Sequence, residues 1–155
     1  MSNLKNVSFT QLSADQIDVC ATIWSKAPIW LGGDVERAKD AIDFILNRFP
    51  DTTIKPHTKA LMHITLGNIE LSAKRRGEAF AQFRAAERLV TIIEDEKQLV
   101  RVLAAIGFSY LAIGKDLLTS RSFLIKALSL AERVSKDQEE KIRTELKRRK
   151  ISLER

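Results

Sequence analysis

The chain of 155 residues has few of the residues that interrupt helices or cross-link small folds: three prolines, six glycines and one cysteine. Cys20 has no second cysteine in the chain for a disulfide, which fits a reducing compartment. The most apolar run, residues 102–114, is shorter than the roughly 20 residues that a membrane-spanning helix needs. Residues 1–11 lack the apolar block of a secretory signal. We therefore expect a cytoplasmic protein without membrane insertion.

Motifs for catalysis are also missing. No glycine-rich loop is followed by Lys and Ser or Thr, so a P-loop is excluded. His57 and His63 would lie on different faces of a helix, and no cysteine or carboxylate completes a metal-binding set with them. Cys20 lacks a sequence context that marks a nucleophile. We expect a protein that is not an enzyme and that has neither a cofactor nor a metal site.

The composition is that of an ordinary soluble protein with one domain. Hydrophobic residues make up 45% of the chain and charged residues 30%, which allows a real core. The net charge of +6 is uneven: residues 1–54 carry 5 Lys and Arg against 7 Asp and Glu, whereas residues 136–155 carry 8 against 5. A basic end can steer an acidic partner or nucleic acid, although on helices such charge more often serves solvation.

Apolar residues recur at spacings of three and four through most of the chain, which predicts an all-α fold. A capping box at Ser13 and Gln16 predicts a first helix from about residue 14, which Pro28 should kink or end. Caps, prolines and glycines predict the later helices over about 34–49, 56–73, 78–94, 97–113, 115–134 and 136–152. A turn is expected at 74–77.

Small residues in the middle of the chain indicate how two of these helices meet. Gly67 on one helix and Ala79 and Ala86 on the next leave no bulk at the contact, so the two backbones can approach closely in an antiparallel pair. Leu66 and Phe83 would fill the flanks. A related pattern recurs later in the chain, at residues 106–107 and 126–128. A fainter one occurs earlier, at residues 33–38 and 50.

This pattern resembles the tetratricopeptide repeat (TPR) family, whose antiparallel helix pairs stack into a right-handed superhelical solenoid. The 40 residues from Gly67 to Gly107 exceed the usual period of about 34. The repeats therefore look more like the extended type of bacterial TPR regulators and kinesin light chains. His63 and Glu70 depart from the aromatic residues that the family usually has there. The resemblance implies one domain over 1–155, with helix pairs at about 14–50, 57–95 and 97–135 and a charged capping helix at about 136–152.

The resemblance also implies a binding surface. In TPR proteins the first helix of each pair lines a concave groove that takes a peptide or a partner helix. Carried onto matching positions, the groove is lined from two helices by Leu61, Ile64, Asn68, Leu71, Ser72, Arg101, Ala104, Phe108, Leu111 and Ala112. Asn68 can hydrogen-bond a ligand backbone, and Arg101 can pair with a carboxylate. Ile64 stands where the chaperone-binding TPRs would want a lysine, so we do not expect that specialised use.

We therefore predict a non-catalytic protein-interaction module, acting as an adaptor, chaperone or regulatory subunit. Its partner would be another protein, a peptide or a second copy of the chain. The alternative is a nucleic-acid-associated regulator that uses Lys147, Arg148, Arg149 and Lys150 of the basic last helix. Intervening glutamates and the lack of aromatics for base stacking weigh against it. The sequence leaves three candidates for the contact surface: the groove, the convex face and the C-terminal helix.

Overall fold

The computed structural model describes residues 35–48, 54–114 and 117–153. Six α-helices and one short 3-10 turn, with no strand, make up nearly all of these described residues. The helices cover Val35–Arg48 (α1), Pro56–Ser72 (α2), Arg76–Leu89 (α3), Glu96–Ile113 (α4), Leu117–Val134 (α5) and Lys136–Arg148 (α6), with the 3-10 turn at Val90–Ile92. The predicted all-α class is confirmed for this part of the chain. The helix predicted from about residue 14 lies outside the described residues.

Several helix ends follow local signals. Pro56 occupies the first turn of α2, and Gly114 ends α4 in the left-handed conformation with φ of 75°. Ser135 caps α6, because its hydroxyl accepts a hydrogen bond from the Gln138 N–H at 3.3 Å. The Gln138 side chain does not complete a capping box. Its Nε2 donates instead to the Lys97 carbonyl at 2.8 Å, which ties the start of α6 to the start of α4.

The turn between α2 and α3 is shorter than predicted, because a lysine makes it in place of the nearby glycine. Lys74 has the left-handed φ of 65°. The Arg75 N–H donates to the Glu70 carbonyl at 2.9 Å, which completes a Schellman motif. Arg76 and Gly77 therefore belong to α3, which begins before the predicted residue 78.

The other end of α3 also differs from the prediction. The α-helix stops at Leu89 and does not continue to Glu94. After the 3-10 turn, Ile93 has extended backbone angles and its side chain is only 7% exposed. Inserting Ile93 into the core requires the chain to leave the helix, which explains the earlier end.

Consecutive helices pack as two hairpins, α2 with α3 and α4 with α5. A Cβ atom added to Gly67 would lie 2.3 Å from Phe83 Cε1, so the phenyl ring occupies space that only glycine leaves open. In the second hairpin, a Cβ atom on Gly107 would lie 2.7 Å from Leu124 Cγ. The close approach at Gly67 was predicted. Phe83 covers it, however, and does not fill a flank.

Three clusters of buried side chains connect the helices. The first joins α2, α3 and α4, and in it the rings of Phe83 and Tyr110 meet edge to face with centroids 6.1 Å apart. The second joins α4 and α5 to α6, where Leu146 is buried. The third joins α1 to α2 through Ile42 and Leu66. Leu66 therefore packs with α1 and not at the α2–α3 contact predicted for it.

Burial repeats at nearly constant intervals along the chain. One series, at intervals of 41 residues, comprises the fully buried Ile42, Phe83 and Leu124 on α1, α3 and α5. Another series, at intervals of 40, comprises the buried Leu66, Ile106 and Leu146 on α2, α4 and α6. Alternate helices thus present equivalent residues to the core.

A buried carboxylate ties α1 to α2. Glu70 is only 4% exposed, and it pairs with Arg75 Nε at 2.5 Å and with Lys39 Nζ of α1 at 2.8 Å. The Arg75 hydrogen bond, helped by Lys39, lowers the pKa of Glu70 to about 2 although burial opposes this shift. The ionised form of Glu70 therefore stabilises the junction of these helices.

Replacing Gly67 with alanine should destabilise the fold, because the new methyl group would lie 2.3 Å from the Phe83 ring. We expect urea denaturation to show a loss of about 1–3 kcal/mol in the free energy of unfolding. Gly77→Ala in α3 is the matched control, because a Cβ atom there has nothing within 4 Å. It should be neutral or stabilise by up to about 1 kcal/mol. Equal losses from both substitutions would contradict the close packing.

Replacing Glu70 with glutamine should change how stability depends on pH. Because the folded-state pKa of about 2 is below the ordinary 4.5, ionised Glu70 stabilises the fold above about pH 5, and this contribution is lost as pH falls toward 2. Glu70→Gln should lower the melting temperature at pH 7 and flatten its fall between about pH 5 and pH 2. Glu140→Gln, at an exposed position of α6, should keep the wild-type slope. An unchanged slope in Glu70→Gln would rule out this role.

Candidate protein-binding surface

One strip of α2 and the equivalent strip of α4 stay accessible after the helices pack. The α2 strip, partly to fully exposed, comprises Leu61, Thr65, Asn68 and Ser72. The α4 strip, 40 residues later and similarly exposed, comprises Arg101, Ala105, Phe108 and Ala112. Because α2 and α4 pack side by side, we infer that the two strips, with the half-buried Leu71 and Leu111 beside them, form one surface, which we call the α2–α4 surface.

Two of the ten predicted groove residues are buried and do not line the accessible surface. Ile64 is 5% exposed and Ala104 is 9% exposed, and both contribute to the core clusters. The next residue on each helix, Thr65 or Ala105, occupies the accessible face in its place. The signal for this register was present in α2, because Ile64 lies at core spacing from Gly67 whereas Thr65 is polar.

The apolar part of the α2–α4 surface is the outer side of the core. Leu61 and Leu71 are half-buried and pack against the first cluster. Phe108 and Leu111 are half-buried and pack against the second cluster. These four side chains are therefore fixed by the fold and still leave apolar area accessible to a ligand.

Two polar groups on this surface keep their hydrogen-bonding capacity. The Asn68 side chain is exposed and has no hydrogen-bond partner among the described residues, while the Asn68 carbonyl accepts from Ser72 Oγ at 3.0 Å. Arg101 is half-buried and makes no ion pair within the described ranges. A ligand can therefore hydrogen-bond the Asn68 amide and pair a carboxylate with Arg101.

Of the four basic residues predicted for nucleic-acid contact, Arg148 and Arg149 are engaged with another side chain, whereas Lys147 and Lys150 are exposed and make no ion pair with a described residue. Arg148 and Arg149 share Glu145, with Arg149 Nε at 2.6 Å from Glu145 Oε1. The hydrogen bond from Arg148, followed by that from Arg149, lowers the pKa of Glu145 to about 2. The Arg149 guanidinium also lies 4.7 Å from the ring centroid of Phe108. The structure thus joins a residue predicted for the groove to one predicted for nucleic-acid contact.

Histidines and acidic side chains elsewhere in the described residues do not form a metal-binding cluster. In the part of the chain that the structure describes, no three His, Cys, Asp or Glu side chains are grouped to hold a metal ion. His63 Nδ1 lies 2.7 Å from Gln82 Oε1, a contact that links α2 to α3. No helix within these ranges has both the length and the apolar character needed to cross a membrane.

No protein-family model, curated protein or solved structure matches the chain. The features of the molecule that bear on its function are the repeated strips on α2 and α4, the free polar groups on them and the charged residues of α6.

Cysteine labelling should test the register of the α2–α4 surface. In a Cys20→Ser background, Thr65→Cys and Ala105→Cys should react with a maleimide reagent in native buffer. At the neighbouring positions, Ile64→Cys and Ala104→Cys should react at least about tenfold more slowly, because these side chains become accessible only when the protein opens. All four should react alike in denaturant. Fast native labelling at position 104 would show that the register is wrong.

Proposed function

We propose that the protein is a non-catalytic interaction module of the TPR type, which binds a peptide or helix of a partner protein on the α2–α4 surface. The observation that carries this proposal is the repetition of one accessible strip, 40 residues apart, over equivalent buried residues. Helical repeat arrays use such surfaces to hold extended partners, because neighbouring repeats continue the same face.

The proposal includes a helical solenoid with α2–α3 and α4–α5 as successive repeats. The close contacts at Gly67 and Gly107 support this pairing, as do the regular burial intervals. Helix α6 would end the array. It buries only Ile142 and Leu146 and is otherwise polar, as the terminal element of a solenoid must be.

The chemistry of the surface indicates the kind of ligand. Leu71 and Phe108 offer apolar area, while Asn68 and Arg101 offer donors without partners in the described chain. A segment with apolar side chains and a carboxylate or free backbone carbonyl fits this combination. The protein would then act as an adaptor, chaperone or regulatory subunit in the cytoplasm.

The nucleic-acid alternative is less well supported. Arg148 and Arg149 pair with Glu145, and Arg143 pairs with Glu132 at 2.8 Å and with Glu139 at 3.0 Å. Phosphate would have to displace these carboxylates before it could contact the guanidinium groups. A surface that binds nucleic acid usually leaves its cations free for phosphate. Here only Lys147 and Lys150 of the four predicted cations make no ion pair with a described residue, so we favour a protein partner.

An arginine placed on the α2–α4 surface should abolish partner binding without unfolding the protein. Ala112→Arg introduces a large cation at an exposed position of α4, and Ala81→Arg makes the same change at an exposed position of α3. We expect affinity purification with mass spectrometry to recover the partner with wild type and Ala81→Arg. Recovery with Ala112→Arg should fall about tenfold or more. Melting temperatures should be similar for both variants, and full recovery with folded Ala112→Arg would move the site elsewhere.

A further inference from the structure

An open cleft lies beside α6, the last helix of the described residues. It has a volume of about 710 Å³ and lies between α5, α6 and the residues after α6. Its apolar side chains include Leu128, Ile151 and Leu153, which are half-buried. Thr144 and Lys147 line it from α6 and are exposed.

The repeat interval shows what this cleft corresponds to. On α4, Leu103 and Ala104 belong to the same buried cluster as side chains of α5, and Leu124 of α5 packs against Gly107. The residues 40 positions later are Arg143, Thr144 and Lys147, and all three line the cleft. The cleft is therefore the place on α6 that matches the α5 site on α4. No helix of the described chain fills it.

The cleft residues of α6 differ from the equivalent residues of α4, and the difference indicates which kind of ligand can bind in the cleft. Lys147 stands where α4 has Gly107, so a helix here cannot approach as closely as α5 approaches α4. Lys147 is exposed and makes no ion pair with any described residue. The apolar floor near Ile151 remains. The occupant must therefore combine apolar side chains with a carboxylate that reaches the Lys147 ammonium.

A second copy of this end is a poor occupant. Residues 136–155 carry 8 Lys and Arg against 5 Asp and Glu, so two such ends would repel each other. An acidic helix from another protein meets the opposite condition, because its charge complements the basic end.

We propose that the α6 cleft is a second docking site, which binds an amphipathic helix of another protein through its apolar face and a glutamate or aspartate opposite Lys147. This site is separate from the α2–α4 surface, and its occupation does not require a ligand there. It gives the module two separate contacts.

The probe is a fluorescently labelled, 18-residue helical peptide with leucines at i, i+3, i+4 and i+7 and glutamates beside them. Its binding to the full chain is measured by anisotropy. A scrambled peptide of the same composition keeps the charge but removes the apolar face. We expect saturable binding of the first peptide, binding at least about tenfold weaker for the scrambled one, and weakening with salt.

Variants of the protein place the contact. Lys147→Glu should lower the affinity for the amphipathic peptide about tenfold or more. Thr144→Trp should also lower this affinity, because the indole ring would fill the cleft. Lys136→Glu is the matched control, because it reverses an exposed charge on the same helix outside the cleft, and it should change affinity less than about twofold. Melting temperatures establish that each variant is folded.

Amide chemical shifts locate the bound peptide directly. Saturation should shift the signals of Thr144, Lys147 and Ile151 and leave those of Asn68 and Ala112 in place. No binding, binding that Lys147→Glu leaves unchanged, or equal binding of the scrambled peptide would overturn the cleft proposal. Shifts confined to Asn68 and Ala112 would also overturn it, while they would support the α2–α4 surface as a binding site.

Discussion

The approach of α3 to α2 at Gly67 is the constraint on which the rest of the structure depends. Because Gly67 has no side chain, the Phe83 ring packs against α2, and the same ring meets Tyr110 of α4 edge to face. Tyr110 is fully buried, and its hydroxyl donates to Glu87 Oε1 of α3 at 2.8 Å. One missing side chain thus sets the spacing of the first hairpin and the position of the next helix.

The accessible surface and the terminal cleft follow from the same geometry. Gly107 repeats the close approach for α4 and α5, so α2 and α4 have equivalent neighbours and leave equivalent strips open. On α6 the corresponding residue is Lys147, which prevents another helix from packing equally close. The equivalent strips on α2 and α4 therefore follow from the presence of glycine on both helices, and the open cleft at α6 follows from its absence there.

Local signals made helix class and several boundaries predictable from the sequence, because residues such as Pro56 act on their own turn of backbone. The left-handed Lys74 was not predictable by this route, since glycine is the residue usually expected there. On α4, the residue that faces outward is Ala105 and not Ala104, and because both are alanine this choice depends on where other helices pack. The stacking of Arg149 on Phe108 joins residues 41 positions apart and exists only in the folded chain. Tertiary contacts of this kind leave little trace in periodicity or capping.

The most direct test of this dependence is the coupling free energy between Gly67 and Phe83 in a double-mutant cycle. Gly67→Ala, Phe83→Leu and the double variant would be unfolded in urea and compared with wild type. We predict that the double variant loses at least about 1 kcal/mol less than the two single losses added together, because leucine leaves room for the new methyl group. Additive losses would show that the two residues do not share this contact, and the packing described for α2 and α3 would be contradicted.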